Sequence, residues 1–261
     1  MQQDTPQSEY IRVEGDWIYY PLILDSIGIP ESDRKIERVQ GVKTPQGCEM
    51  QNMTELESDD SFSEEIAFNP TACESIFAYV KLTPQQNETL SNWFGEVPSS
   101  NVLAMFATTT LYKRHAQHAW VDPIKIDIAR QTLNISWGRG SSNLLTKQQL
   151  YYGFKLCFKK TCFDETYLIS KKTGGSGLTM TGQLHMRNTS FAKYVTVALG
   201  TAGWVACGAK TSSTANFHFS GTIKATSNSQ SSSFTKSDTK NGACTNLVHG
   251  ATRHGNGYSN K

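Results

Sequence analysis

Few residues in this sequence have the types and spacing that chemistry needs. His115 and His118 stand three apart, which could offer two imidazoles to a metal, but no cysteine or carboxylate partner is apparent, so surface positions are the plainer expectation. Cys157 and Cys162 are five apart and no CxxC pair exists, so no zinc site is expected. KTGGSG, Lys172 to Gly177, lacks the spacing of a phosphate-binding loop and reads as a connection between strands. No GxSxG, HExxH or kinase signature occurs, and the C-terminal half is too poor in carboxylates for a glycosidase pair. No catalytic residue, metal or cofactor is therefore expected, and the chain reads as a non-enzyme. The one constellation with binding chemistry is Trp204 with Asn188 and Lys193. An indole covers the apolar C–H face of a sugar ring while amide and ammonium donors reach its hydroxyls. A tryptophan packed in a core is the plainer alternative.

The elements that must position these residues are strands. Leu178, Met180, Gly182, Leu184 and Met186 fall on one face at period two. Val195, Val197 and Leu199 repeat the pattern, as do Phe217, Phe219, Gly221 and Ile223. YGFKLCFKKTCF is aromatic-rich and strand-like, and TSNSQSSS, Thr226 to Ser233, is a polar low-complexity loop. Several short strands with polar turns over 144–261 predict an antiparallel, immunoglobulin-like β-sandwich. Leu184 to Trp204 thus reads as two strands joined by the link that carries Asn188, Phe191 and Lys193.

Charge divides the chain. Residues 1–143 hold 11 Lys+Arg against 20 Asp+Glu, and residues 144–261 hold 14 against 3. WGRGSSN, Trp137 to Asn143, reads as the loop between two regions. The acidic region, densest at ELESDDSFSEE, is expected to be partly disordered, with apolar islands at WIYYPLIL and IAFNPTACESIFAYVKL as docking segments. The order of 83–143 stays open between helix and strand. No apolar run is long enough to span a membrane. MQQDTPQSEY has neither the basic nor the apolar part of a secretory signal, so a cytoplasmic location is expected, with the six cysteines reduced.

GQLHMRNTSFAKYVTVALGTAGW resembles the core signature of the family 21 starch- and glycogen-binding modules, G-x-V-x-V-K-N-x-x-F/Y-x-K-x-V-x-V-R-x-T-x-D-x-W. Gly182, Leu184, Met186, Arg187, Asn188, Phe191, Lys193, Val195, Val197 and Trp204 fall in register without a gap. Cys162-Phe163-Asp164 stands where C-L-E is common, and VHGATRHGNG can be laid on V-N-G-x-x-Y-W-D-N-N. The resemblance implies that Trp204 stacks on a glucose ring, that Asn188, Phe191 and Lys193 form the other side of that site, and that Asn256 belongs to a second one. Arg253, His254 and Gly255 depart from the family's Tyr-Trp-Asp, and Ala198 and Ala202 replace its Arg and Asp.

Animal members of that family are often glycogen-targeting subunits of protein phosphatase 1, with a basic-x-V/I-x-F/W docking motif upstream. Ile66-Ala67-Phe68 is the best candidate here, though Ser63, Glu64 and Glu65 precede it where basic residues are expected. KRHAQHAWVD, with Trp120, is the rival, but His118 fills its V/I position. The resemblance therefore implies a non-catalytic adaptor, glycogen-associated in the cytoplasm. It would bind glycogen or another α-glucan, bring the phosphatase catalytic subunit to it, and so regulate the enzymes of glycogen metabolism gathered there. Two alternatives stand beside it. One is a basic sandwich that holds a polyanion, either nucleic acid or an acidic membrane surface. The other is a structural interaction module whose sugar site has decayed.

Overall fold

Among the described residues, the period-two runs of Met180–Met186 and Phe217–Ile223 fold as strands, and so do most of the described residues of the acidic half. The run at 195–199 and the stretch 152–163 lie outside the described residues. The computed structural model describes residues 11–45, 47–56, 60–93, 111–125, 127–138, 149–151, 164–174, 177–192, 207, 214–226, 232–242 and 244–256. In chain order the first elements are β1 (Arg12–Glu14), β2 (Trp17–Tyr19), α1 (Ile23–Ser26), β3 (Lys35–Gln40) and β4 (Val42–Thr44). Next come β5 (Gly47–Leu56), β6 (Ser61–Asn69), β7 (Glu74–Lys81), α2 (Pro84–Trp93), β8 (Leu111–Val121) and β9 (Asp127–Gly138). The chain continues through β10 (Gln149–Tyr151), β11 (Asp164–Gly174), β12 (Gly177–Asn188), β13 (Ala215–Thr226), β14 (Ser232–Gly242) and β15 (His249–Asn256).

Among the described residues these strands make two antiparallel sheets, packed as an all-β sandwich. One has six strands in the order β11-β12-β13-β14-β5-β4. The other has nine: β1-β2-β6-β15-β8-β9-β10, with β7 and then β3 on the other edge of β6. This pairing corrects the division expected at 143/144. β5 pairs with β14, and β15 lies between β6 and β8, so both sheets draw strands from both halves of the chain. It also corrects the expectation of disorder over the SFSEE part of ELESDDSFSEE, because Ser61–Asn69 is β6, an interior strand; residues 57–59 lie outside the described residues. The composition argument fails there because Glu64 and Glu65 find partners inside the fold.

The core follows from the alternation. Met180, Phe219, Ile223 and Phe234 of the six-stranded sheet face Ala116, Leu133, Ile135 and Trp137 of the nine-stranded one. Leu184, Met186, Phe191 and Phe217 close around Trp120. Each such side chain contributes about 1.5–3 kcal/mol by leaving water. Gly182 and Gly221 occupy inward positions where a larger residue would not fit, since a Cβ would meet Leu133 Cδ2 and Phe234 Cζ at 2.8 Å. The two helices contribute Ile23, Leu24 and Leu90 to a third cluster with Phe62, Val80, Ala119 and Ala251. α2 starts where the sequence directs it. Thr83 Oγ1 accepts from the Gln86 N–H at 3.3 Å, Gln86 Oε1 accepts from the Thr83 N–H at 2.9 Å, and Pro84 takes the first helical position.

Candidate functional site

Of the residues singled out by the resemblance, the structure describes Asn188, Phe191 and Asn256. Trp204 and Lys193 lie outside the described residues. Asn188 ends β12 with its side chain buried, and Oδ1 accepts from the Ser190 N–H at 2.8 Å, which closes a local turn. Phe191 is fully buried and meets Phe217 edge-on at 5.4 Å. Its role here is packing, since no face is left for a sugar. Asn256 is exposed at the end of β15, where its main-chain N–H and Nδ2 both donate to Asp60. The neighbouring stacking position is internal: His254 is buried, with Nε2 2.9 Å from Ser232 Oγ and the ring stacked on Phe234. Arg253 turns to the other face of the sheet and donates to Asn87 Oδ1 and Ser91 Oγ of α2.

The candidate docking motif is also part of the fold. Ile66 and Phe68 lie in β6, which is paired along both edges, and Phe68 is buried in the core. The extended, free segment that such docking requires is absent at this position, so the expectation for Ile66-Ala67-Phe68 is corrected. The rival at Trp120 is likewise in the core. His115 and His118 are both buried, which corrects the expectation of surface positions. The His118 Nδ1 lies 2.9 Å from Thr252 Oγ1, and its ring stacks on Phe219 at 4.1 Å. Burial, with Lys236 adding to it, holds the imidazole well below its ordinary pKa.

The open polar surface is elsewhere, on the outer face of the six-stranded sheet. The inward residues of β12, β13 and β14 leave Thr179, Thr181, Gln183, His185 and Arg187 outward on the first strand. Asn216, His218, Ser220, Thr222 and Lys224 face outward on the second, and Ser233, Thr235, Ser237, Thr239 and Asn241 on the third. Strand register sets them in rows: Thr181–Thr222–Thr235, Gln183–Ser220–Ser237, His185–His218–Thr239 and Arg187–Asn216–Asn241. Thr181 and Thr222 are hydrogen-bonded through their hydroxyls at 2.9 Å.

At one end this face deepens into a cleft of about 450 Å³ lined by Thr44, Glu49, His185, Asn216, His218, Thr239 and Asn241. The lining spans five strands, roughly 19 Å at the usual strand spacing. β4 and the turn at Gly47 form one wall. Gly47 takes φ +119°, and a Cβ there would strike Lys240 O at 2.6 Å, so the position needs glycine. Every lining side chain donates or accepts hydrogen bonds. Among the described residues, Glu49 is the one carboxylate that lines the cleft, and no lysine or arginine does. His185 and His218 sit directly opposite each other with ring centroids 6.2 Å apart. Partial burial, then the neighbouring His185, lower the His218 pKa against the pull of Glu49. The cleft therefore meets a ligand at neutral pH with hydroxyls, amides, a neutral His218 and one unpaired negative charge.

Between the sheets lies a second set of polar residues that sequence reasoning missed. Lys236, Asp238 and Lys240 alternate with outward residues on β14 and point into the sandwich. Lys240 Nζ donates to Glu65 Oε2 at 3.0 Å, Tyr20 Oη at 3.1 Å and Val248 O at 2.8 Å. Glu65 also accepts from Ser75 Oγ at 2.7 Å and from the Gly250 N–H at 3.3 Å. On the opposite face of β6, Glu64 meets His249 Nε2 at 3.0 Å and accepts from the first amides of α1, those of Ile23 and Leu24. Lys236 Nζ lies 3.6 Å from Asp238 and over the Phe77 ring at 5.1 Å. Burial raises the Asp238 carboxyl to about 6 and lowers the Lys236 ammonium, each opposed by the other's charge. These groups are buried, and the Lys240–Glu65 contact ties β14 of one sheet to β6 of the other.

Among the described residues, two disulfides correct the expectation of reduced cysteines. Cys48 of β5 joins Cys73 before β7, and Cys207 joins Cys244, with Cα separations of 5.5 and 4.6 Å. Among the described residues, no group of three His, Cys, Asp or Glu side chains could hold a metal ion. No helix of the described residues is long and apolar enough to cross a membrane. Comparison with family models, with curated proteins and with solved structures gives no match.

Proposed function

We propose that this protein is a non-catalytic glycan-binding module whose ligand site is the outer face of the six-stranded sheet. The observation that carries the reading is the cleft: seven lining residues, all hydrogen-bonding, in a concave surface that crosses five strands. Sugars offer hydroxyls that both donate and accept, and amides, threonine hydroxyls and imidazoles answer them in kind. His185 and His218 are exposed and supply flat rings against which a sugar face can rest. The sequence resemblance to starch- and glycogen-binding modules makes an α-glucan the first ligand to try. Phosphatase targeting through Ile66 and Phe68 is not part of the proposal, because both belong to an interior strand. The disulfides favour an oxidising compartment over the cytoplasm, so the glucan would be met outside it.

The polyanion reading loses much of its support. Lys236, Lys240 and Arg253 belong to the positive surplus of the C-terminal half, and all three are buried. The test is co-sedimentation of the intact chain with glycogen and with insoluble starch at low and high salt, beside a triple variant Asn216→Ala, His218→Ala, Asn241→Ala. Salt-resistant binding lost in the variant is expected. Binding that salt alone removes would favour the polyanion, whose affinity falls steeply with ionic strength.

A further inference from the structure

We propose that the cleft on the six-stranded sheet selects glycans bearing a free amino group, with Glu49 as the residue that reads the ammonium; this inference rests on the glycan-binding reading above. Among the described residues lining the cleft, the one acidic or basic side chain besides the histidines is Glu49. Glu49 is part-exposed on β5, directly opposite Thr239 in the sheet register, and it has no ion-pair partner among the described residues. Some solvent-facing carboxylates are paired, Glu14 with Arg12, Asp25 with Arg34, Glu37 with Lys35 and Glu74 with Arg38; Glu49, like the exposed Asp16 and Glu88, is not, and of these three it is the one that lines the cleft. Glu49 is left unpaired inside a concave surface, which is where a charge works on a ligand and does little for the fold. A neutral glucan would leave that carboxylate to water or cover it at a cost.

The surroundings suit an aminosugar ring. An ammonium has three N–H donors and no acceptor, so it needs acceptors converging on one point. Glu49 supplies two oxygens, and Thr239 beside it supplies a hydroxyl acceptor. His218, one strand further on in the same row, is held in its neutral form, so its ring can accept and does not repel a cation. Asn216 and Asn241 of the next row can hold the ring hydroxyls, and Arg187, which ends that row on β12, lies outside the cleft lining. An anionic sugar, a uronic acid for example, would meet Glu49 as a like charge with no lysine or arginine in the cleft to offset it.

The experiment is calorimetric titration of the full chain with three oligosaccharides of equal length: glucosamine oligomers, their N-acetylated forms and malto-oligosaccharides. The buffer is mildly acidic, so that the amine is an ammonium. Glu49→Gln is the test variant, and Glu88→Gln on the exposed face of α2 controls for bulk charge. Loss of one charge-assisted contact is expected to weaken glucosamine-oligomer binding about tenfold or more in Glu49→Gln. Malto-oligosaccharide binding should not weaken in Glu49→Gln, and Glu88→Gln, away from the cleft, should bind all three sugars as the wild type does. Equal affinity of the wild type and Glu49→Gln for the glucosamine oligomers overturns the inference and leaves the glycan reading standing. An equal loss in Glu88→Gln overturns it as a bulk charge effect. Absence of binding to all three oligosaccharides overturns both.

Discussion

Replacing Lys240 by methionine should be among the most costly single changes on β14. The ammonium is buried with Glu65 and makes three hydrogen bonds, to Glu65, Tyr20 and Val248, within 3.1 Å. It also lies 4.3 Å from the centre of the Phe68 ring. Methionine keeps most of the stem's packing and removes the charge. Glu65 then keeps Ser75 Oγ and the Gly250 N–H as partners, and the cation whose charge still reaches it is Lys236, which is already paired with Asp238. Removing one member of a buried pair costs about 3–5 kcal/mol, since the other charge stays desolvated. In a chain of this size each kcal/mol moves the melting temperature by about 2–4 °C, so a fall of roughly 10 °C is expected. The assay is differential scanning calorimetry of wild type, Lys240→Met, Glu65→Leu and the double variant. Coupling between the two sites should reach about 2 kcal/mol, with the double variant no less stable than Lys240→Met alone. A fall of less than 2 °C in Lys240→Met, or a double variant equal to the sum of the singles, would refute the view that this pair joins the sheets.

Three further outcomes follow from other parts of the fold. Phe191→Ala should cost about 3–5 kcal/mol in urea unfolding, as a buried aromatic does, and leave glucan affinity unchanged at temperatures where the variant is folded; an affinity loss without a stability loss would return Phe191 to the ligand site. Asp238 has its carboxyl raised from 3.8 to about 6, so its contribution is fully present below pH 3.8 and is lost as pH rises through 6. That window is worth about 3 kcal/mol, read as the wild-type stability minus that of Asp238→Asn across it; a flat difference contradicts the burial argument. Cys48→Ser opens a loop with a sequence separation of 25 residues and should cost about 3.5 kcal/mol in chain entropy. Thiol titration of the unfolded, unreduced wild type should find neither Cys48 nor Cys73 free.

The strands of the C-terminal half were legible because their apolar residues alternate. Met180, Leu184, Met186, Phe217, Phe219 and Ile223 are buried at period two, as the pattern requires. Charged residues misled the reading in both directions. Glu64 and Glu65 look like solvated acids in ELESDDSFSEE, but they sit between Phe62 and Phe68 on one strand, and that apolar bracketing was the signal of burial. Lys236, Asp238 and Lys240 continue the alternation begun at Phe234, so their inward direction follows from phase alone. Their partners are up to 220 residues away in sequence, as Lys240 is from Tyr20, and no local pattern reports such pairing. The cleft was hidden for a related reason. Its members come from β4, β5, β12, β13 and β14, and only the strand order brings Glu49 beside Thr239 and His218. The repeated Ser and Thr of SFTKSDTKN were the visible trace of the outer face, and composition alone reads them as loop.

The central claim is that a glycan sits on the outer face of the six-stranded sheet. Nuclear magnetic resonance of the threonine methyl groups during titration with malto-oligosaccharide tests it most directly. Thr239 should shift most, Thr235 and Thr222 less, and Thr252, buried beside His118, should stay still. Saturating shifts confined to that face would support the account. Shifts at the Asn256 end of β15 with Thr239 unmoved, or none at saturating sugar, would contradict it.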